Sequence, residues 1–324
     1  MNRLSDLKRM ILLLLAGILS ACSHDDLTET RPAENGEPLV LTAVMADATT
    51  GTRATPDNSW TGTETIIVEV IDDYDDTTAP DWTQAKRGIY TAGTDGKLTF
   101  VSGEQSSWLS DNETKLVRAW HYGDNSNEHP DSWSVQSDQR TGDDYAKSDL
   151  LFAQETVSER QEIALNFYHQ VAKVVVHVRN VGPVYGSSNV SVTIGEFPSF
   201  DIVMNGTVST DNMNGNYLNW TPGDKGYITP HSLGPQSLAS NEIETSLASF
   251  AALVIPQTVD AYGYLLVIWE GVVSYRYHSP TDIIWKAGNS YTYDVTVTKE
   301  SRVQVNNITV SPWTEQDGGS LKTE

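Results

Sequence analysis

Short stretches of alternating apolar and polar residues constrain the fold of this chain more than any other feature. Residues 163–167 and 173–179 place an apolar side chain at every second position. Successive side chains of a β-strand point to opposite faces, so this period predicts strands with one buried face. In the second stretch, Lys173, His177 and Arg179 are predicted to face outward. No long stretch shows a helical period, and the pattern therefore predicts an all-β fold of packed sheets.

Turn signals separate the predicted strands. Asp95-Gly96 predicts a hairpin turn, and Asn205-Gly206 and Asn214-Gly215 also read as turns. Polar residues 123–148 are predicted to form a long surface excursion. The predicted strands are residues 39–46, 66–71, 88–91, 98–101, 115–122, 163–167, 173–179, 190–194, 250–255, 264–269, 272–277, 291–297 and 303–310. The length of 324 residues suggests two domains, which we place at 38–170 and 171–324.

The N-terminus carries an export signal. A basic start is followed by the apolar run 10–19, which is too short to span a bilayer and suits a signal peptide. The run ends in Leu19-Ser20-Ala21-Cys22, which resembles a bacterial lipobox. Residues 1–21 are therefore predicted to be a lipoprotein signal peptide, with Cys22 acylated by palmitate-like chains that hold the protein in the membrane. The alternative is an ordinary signal peptide beside a chance cysteine.

A polar tether is predicted to follow the anchor. Residues 22–37 are polar, contain Pro32 and Gly36, are followed by Pro38, and are predicted to be flexible. Ser23-His24-Asp25-Asp26 resembles the surface-export signal of Bacteroidetes lipoproteins, although an acidic solvated linker would look the same.

Charge and cysteine content exclude several functions. A net charge of −22 disfavours binding to nucleic acid. The single cysteine cannot form an intramolecular disulfide or a multi-cysteine metal site. The acidic residues 72–76 could bind Ca²⁺, but they lack the glycine and distal glutamate of an EF-hand, so a solvated turn is favoured.

No motif for catalysis or for a cofactor is evident. The seven histidines lack metal-binding spacing; His169 and His177 could share a face only on one continuous strand. There is no Gly-x-Ser-x-Gly or Walker motif, so we predict no enzyme, no metal and no cofactor. A glycosidase with a carboxylate pair is kept as a third hypothesis.

Several phrases in order resemble the fimbrillin family of Bacteroidetes. They are Ser148-Asp149-Leu150-Leu151-Phe152-Ala153, the "Leu-x-Phe-x-His-x-x-Ala-Lys" pattern over 165–173, Ile255-Pro256-Gln257, Gly288-Asn289-Ser290-Tyr291-Thr292-Tyr293 and Ile308-Thr309-Val310-Ser311-Pro312-Trp313. Thr52-Arg53 ahead of Trp60 also fits. The resemblance covers roughly residues 39–315.

The resemblance implies two tandem transthyretin-like Greek-key β-sandwiches that assemble by strand exchange. A protease would cut after Arg53 and free the strand 39–46, and the vacated groove would accept a strand from a neighbouring subunit. The donor candidate is residues 303–313. Arg31 is the other candidate cleavage site, but a cut there would release the anchor without opening a groove.

One further modification is suggested by a local sequence. Asp76-Thr77-Thr78 resembles the Bacteroidetes O-glycosylation sequence, with Thr77 as the acceptor; the alternative is a plain loop.

These observations predict a fimbrial subunit or adhesin on the outer-membrane surface. Its partners would be other fimbrial subunits, the membrane through acylated Cys22, and a host or bacterial surface ligand. Only a short polar tail follows Trp313, which leaves shaft, tip, accessory and anchor roles open. The alternative is a monomeric surface lipoprotein that binds a glycan or a host protein.

Overall fold

The structure is a computed structural model that describes residues 36–46, 60–123, 132–181, 190–195, 202–235, 247–298 and 302–313. Backbone contacts group these described residues into one compact unit. The regular structure is almost entirely β, which confirms the predicted fold class. None of the helices in the described residues is long and apolar enough to cross a membrane.

The described residues of the first half form ten strands and two short helices. The strands are β1 (Glu37–Pro38), β2 (Leu41–Met45), β3 (Thr65–Asp72), β4 (Lys86–Ala92), β5 (Leu98–Gly103), β6 (Ser107–Trp108), β7 (Lys115–Tyr122), β8 (Ser132–Ser134), β9 (Leu150–Val157) and β10 (Ile163–His169). A 3₁₀-helix spans Trp82–Gln84 and an α-helix spans Gly142–Ala146.

In the second half, the ranges that the structure describes form fourteen strands. They are β11 (Ala172–Val181), β12 (Val190–Ile194), β13 (Ile202–Val203), β14 (Asn205–Asn214), β15 (Tyr217–Pro222), β16 (Lys225–Gly226), β17 (His231–Gly234), β18 (Ala248–Val254), β19 (Gln257–Val259), β20 (Tyr264–Glu270), β21 (Val273–His278), β22 (Ile283–Trp285), β23 (Asn289–Val297) and β24 (Val303–Pro312).

A seven-stranded sheet organises the first half, in the order β2-β10-β9-β7-β3-β4-β5. Strand β2 runs parallel to β10, whereas the other neighbours are antiparallel. A bridge between Thr42 and Lys97 joins β2 to the start of β5, so the sheet curls until its two ends meet. One face of this curled sheet encloses a core that includes Ile66, Val117 and Phe167.

The second half is built on a five-stranded sheet, β17-β18-β11-β23-β24, and a three-stranded sheet, β12-β20-β21. Buried residues from both sheets belong to one hydrophobic cluster, as expected for the two layers of a β-sandwich. A second three-stranded sheet, β15-β14-β8, contributes to the same cluster.

The core of the second half extends onto the first half. Trp120 and Phe152, on the seven-stranded sheet, lie in the same buried cluster as Val208 and Leu218 of β14 and β15. The chain passes between the two main sheets at residues 170–171, where β10 ends and β11 follows. The division into domains at residue 170 stays a prediction.

Three local features differ from the sequence-based expectations. Gly206 lies inside β14 rather than in a turn. Glycine suits this position because a Cβ there would lie 2.7 Å from the Thr221 carbonyl oxygen across the strand pair. The described part of the region 123–148 is more than a surface excursion, since Gln139 is fully buried and hydrogen-bonds to the Leu253 main chain. Lys173 is buried rather than outward-facing.

Candidate functional site

Strand β2 is the terminal strand in the order of the seven-stranded sheet, and it fills an apolar groove between β10 and the start of β5. Leu41, Ala43 and Met45 are at most 3% exposed, while the residues between them are half-buried. Leu39, just before the strand, is also buried. Burial of a large aliphatic side chain contributes about 1.5–3 kcal/mol, so the segment is held chiefly by its alternating apolar side chains.

Main-chain hydrogen bonds hold β2 on both sides. On the β10 side, the N–H of Ile163 donates to the Val40 carbonyl and the N–H of Ala46 donates to the Phe167 carbonyl. On the other side, the N–H of Ala43 donates to the Gly96 carbonyl at 2.8 Å. Removal of the segment would therefore expose both apolar pockets and unpaired backbone groups, which are the two features that an added strand satisfies.

Trp60 covers the middle of β2. Its indole N–H donates to the Ala43 carbonyl at 3.1 Å, and its ring packs edge-on against Phe167 and His121. The side chain is 3% exposed. The loop that follows β2 thus returns to the sheet at a residue that contacts β2 itself.

Glu64 fixes the turn after Trp60. Its buried carboxylate accepts hydrogen bonds from the N–H groups of Thr61, Gly62 and Thr63 and from the Thr61 hydroxyl. Burial by itself would raise the pKa of Glu64, but these hydrogen bonds outweigh it and lower the pKa below its ordinary value. The described residues that follow the predicted cleavage site, 60–64, are therefore held in a defined turn.

The predicted site residues differ in what the structure says of them. Cys22, Arg31 and Arg53 lie outside the described residues, so acylation and cleavage stay predictions. Thr77 is exposed, and its hydroxyl donates to the Asp75 carboxylate at 2.8 Å in a turn that the Asp75 side chain caps. An acceptor hydroxyl at this position is accessible, but glycosylation also stays a prediction.

No shared histidine site is formed in the described part of the chain. His169 ends β10 and His177 lies in β11, so the two are on different strands. Within the described ranges, no three His, Cys, Asp or Glu side chains converge on a point that could hold a metal ion.

The family phrases, which are far apart in sequence, meet where the two halves join. The His169 ring stacks on Trp313 with centroids 3.7 Å apart, and its Nδ1 lies 3.0 Å from the Asp149 carboxylate. The Lys173 ammonium lies 5.4 Å from the Trp313 ring. All four side chains are buried. Reasoning from the sequence identified these residues through a resemblance but missed their contact, for which the fixed order of the phrases was the only signal.

The phrase Ile255-Pro256-Gln257 also has a structural explanation. The Gln257 side chain accepts a hydrogen bond from the Val203 N–H and donates one to the Val203 carbonyl. The amide thus hydrogen-bonds to the main chain of β13 as a neighbouring strand would. The result is a side-chain clamp that fixes a short strand at the edge of the second half.

The predicted donor segment is part of the five-stranded sheet. Strand β24 pairs with β23 along its length, from Val303 opposite Val297 to Pro312 opposite Asn289. The next residue, Trp313, is 1% exposed, and its N–H donates to the Gly288 carbonyl. Donation by this segment would break these contacts, and the donor role stays a prediction.

Comparison with protein families gives a match over most of the chain. The fimbrillin-like family profile matches residues 52–313. A candidate cell adhesion protein of Bacteroides ovatus has a similar structure, with a TM-score of 0.58 and 15% identity over 86% of this chain and 98% of that one. One from Bacteroides uniformis has a TM-score of 0.57 and 16% identity over 88% of this chain and 100% of that one. At this identity the likeness shows a shared fold.

No functionally curated protein matches the chain at a significant level. The family profile nevertheless covers most of the chain, including β2's neighbour β10, the junction residues and Trp313. The observed all-β architecture agrees with it. This chain belongs to the fimbrillin-like family.

Proposed function

We propose that this protein is a fimbrial subunit that assembles by accepting a strand from a neighbouring subunit in place of β2. The observation that carries the proposal is the environment of β2. It is the terminal strand of its sheet with alternating buried side chains, and Arg53 follows it closely in the sequence. Cleavage after Arg53 would leave β2 attached to the sheet only by noncovalent contacts, so a competing strand could replace it.

The fibre would stay attached to the outer membrane through an uncleaved precursor or through the subunit at its end. Acylated Cys22 would hold the uncleaved protein at the outer membrane, and a cut at Arg53 would separate the β-sandwiches from that anchor. A cut at Arg31 would also separate them, but it would leave β2 in its groove. The proposed role is structural and adhesive rather than enzymatic.

Cleavage followed by gel electrophoresis tests the proposal. The full chain is treated with an arginine-specific protease, separated from the released fragment, concentrated, and run without heating. We expect a ladder of bands for the wild type and for Arg31→Ala, and no ladder for Arg53→Ala. N-terminal sequencing of the ladder should begin at Ala54.

A competitor peptide provides the matched control. A synthetic peptide with the sequence of residues 37–46 should shorten the ladder, because it refills the groove; a peptide with Leu41 and Met45 changed to aspartate should not. A protein that is fully cut at Arg53, freed of its fragment and still monomeric at high concentration would overturn the proposal, and a monomeric surface lipoprotein would remain.

A further inference from the structure

The exposed edge of β24 is an unusual surface on this molecule. In the part of the chain that the structure describes, β24 ends the five-stranded sheet and no strand pairs with its outer side. Its ten residues, Val303–Pro312, include no charged side chain. Natural edge strands commonly carry charges that prevent pairing with other strands. Here the bulge near Asn306 and the missing N–H of Pro312 would limit pairing only on either side of residues 307–311.

Two apolar side chains on this edge face the core layer yet remain exposed. Ile308 is opposite Tyr293 and Val310 is opposite Tyr291, and both tyrosines are buried in the sandwich core. Directly opposite residues of an antiparallel pair lie on the same face. Ile308 and Val310 are nevertheless 41% and 55% exposed, so the sandwich does not cover its own core face at this edge.

The backbone groups of the same two residues point outward. The Trp313 N–H donates to the Gly288 carbonyl, and Pro312 is opposite Asn289. In an antiparallel ladder, this bond makes Pro312 and Asn289 a pair without mutual hydrogen bonds, and such pairs recur at every second residue. The N–H and C=O groups of Val310 and Ile308 are therefore directed away from β23, toward the open edge.

We propose that this edge pairs with β24 of a second copy of the chain, antiparallel about a two-fold axis through Thr309. This register places Ile308 opposite Val310 of the second copy, and Val310 opposite its Ile308. Each of these pairs exchanges both main-chain hydrogen bonds, because the groups that point outward lie on these residues. The four apolar side chains cover one another on the core face.

The polar residues are also self-complementary in this register. Thr309 lies opposite its own symmetry mate, and Asn307 lies opposite Ser311 of the second copy; cross-strand threonine pairs of this kind stabilise sheets. No charged residue of β24 enters the contact, which matters because each chain carries a net charge of −22. A two-fold contact requires one surface to match itself, and this strand does.

The inference is separate from strand exchange at β2. Pairing at β24 needs no cleavage, whereas exchange at β2 does. A molecule whose β24 is donated to a neighbour loses this edge, so the dimer and donation by residues 303–313 exclude each other within one molecule.

Sedimentation of the uncut full chain tests the dimer. The protein carries Arg53→Ala to keep β2 in place, and is measured over about a hundredfold range of concentration, because a contact of this small size gives a weak dimer. We expect the average mass to rise from the monomer toward twofold. Ile308→Lys with Val310→Lys should abolish the rise, while the control, Gln304→Lys with Val272→Lys, adds the same charge at exposed positions outside the pairing segment and should preserve it.

A disulfide tests the register. Thr309→Cys in a Cys22→Ser background should form a covalent dimer under mild oxidation, because residues opposite each other in a non-hydrogen-bonded pair are close enough for a disulfide. Gln304→Cys in the same background should stay monomeric. A monomer at every concentration would overturn the inference, as would a dimer that resists the double lysine variant and forms no crosslink when it carries Thr309→Cys. A ladder after cleavage at Arg53 would leave the proposed function intact in either case.

Discussion

Glu64 shows how one buried side chain determines a turn beside the β2 groove. Its carboxylate accepts the N–H groups of three consecutive residues, Thr61 to Thr63, which lie just before β3. A hydrogen bond to a charged group contributes about 1.5–3 kcal/mol. The turn therefore depends on an ionised acceptor, and so does the position of Trp60 just before it.

Glu64→Gln should lower the free energy of unfolding by about 1–3 kcal/mol near pH 7, since an amide oxygen replaces two charged acceptors. The pKa of Glu64 is lower in the folded protein, so its stabilisation is complete above the ordinary glutamate pKa and is lost as the pH falls through the folded value. The difference between wild type and variant should shrink in acid. Urea unfolding at several pH values measures it.

The substitution Glu104→Gln is the control for this pH series, because Glu104 is exposed and its charge is solvated. Its stability should follow that of the wild type. An equal loss for Glu64→Gln at every pH would mean that the substitution acts through packing and not through the charge.

Buried polar residues are also where sequence analysis was least successful. Alternation correctly placed Val174 and Val176 in a strand, but it put Lys173 outside because lysine is usually exposed. Lys173 is buried because Trp313, at a distant point in the sequence, lies over it. An alternating pattern shows which side chains share a face of a strand. It does not show whether both faces are buried, because that depends on which other elements pack against the strand.

At the scale of elements, most turn signals correctly predicted hairpins, but one of them lies inside a strand. The turn at Asp95-Gly96 joins β4 to β5, and the turn at Asn214-Gly215 joins β14 to β15; both glycines have positive φ. Asn205-Gly206 carried the same signal but lies within a strand. A short dipeptide cannot distinguish a turn from a close approach between strands, because glycine suits both.

Gln257 clamps β13, and its loss should destabilise the second half. Gln257→Leu would leave the Val203 N–H and carbonyl without partners, at about 1–3 kcal/mol each, so we expect the free energy of unfolding to fall by about 2–4 kcal/mol. Gln257→Glu keeps the acceptor for the N–H but loses the donor, and should show an intermediate loss. Chemical denaturation monitored by tryptophan fluorescence measures both.

Gln304→Leu, on the exposed outer face of β24, serves as the comparison and should change stability little. If Gln257→Leu were as mild as Gln304→Leu, water would have to replace the clamp, and β13 would not depend on it.

At the scale of the whole molecule, the all-β class and the family could be predicted from the sequence. The contact between the two halves could not. The shared cluster that joins Trp120 and Phe152 to Val208 and Leu218 comes from residues that each read as ordinary strand positions. The packing of one sheet on another depends on contacts between residues that are far apart in the sequence. The order of the family phrases pointed to one architecture, but only coordinates show that the side chains of these phrases touch at the junction.

The charge of the whole chain predicts how assembly responds to salt. Cleaved subunits, residues 54–324, carry 16 basic and 36 acidic side chains, so each has a net charge of −20 and repels its neighbours. The Debye length falls from about 10 Å at 0.1 M salt to about 3 Å at 1 M. After cleavage at Arg53, ladder growth should therefore become faster as sodium chloride is raised. Light scattering over time measures the rate, with Arg53→Ala as the control that should not respond. Faster growth at low salt would show that attraction between opposite charges controls assembly.

The two-sided hold on β2 has a consequence for timing. A cut in the loop after the strand alters covalent connectivity but none of the contacts at Ala43, Phe167 or Trp60. The nicked protein is then a complex of two pieces, and the short piece is lost only by dissociation, at a rate set by its many simultaneous contacts. Proteolysis would make the subunit able to polymerise. Polymerisation would then begin only when its own fragment dissociates or is displaced by an incoming strand.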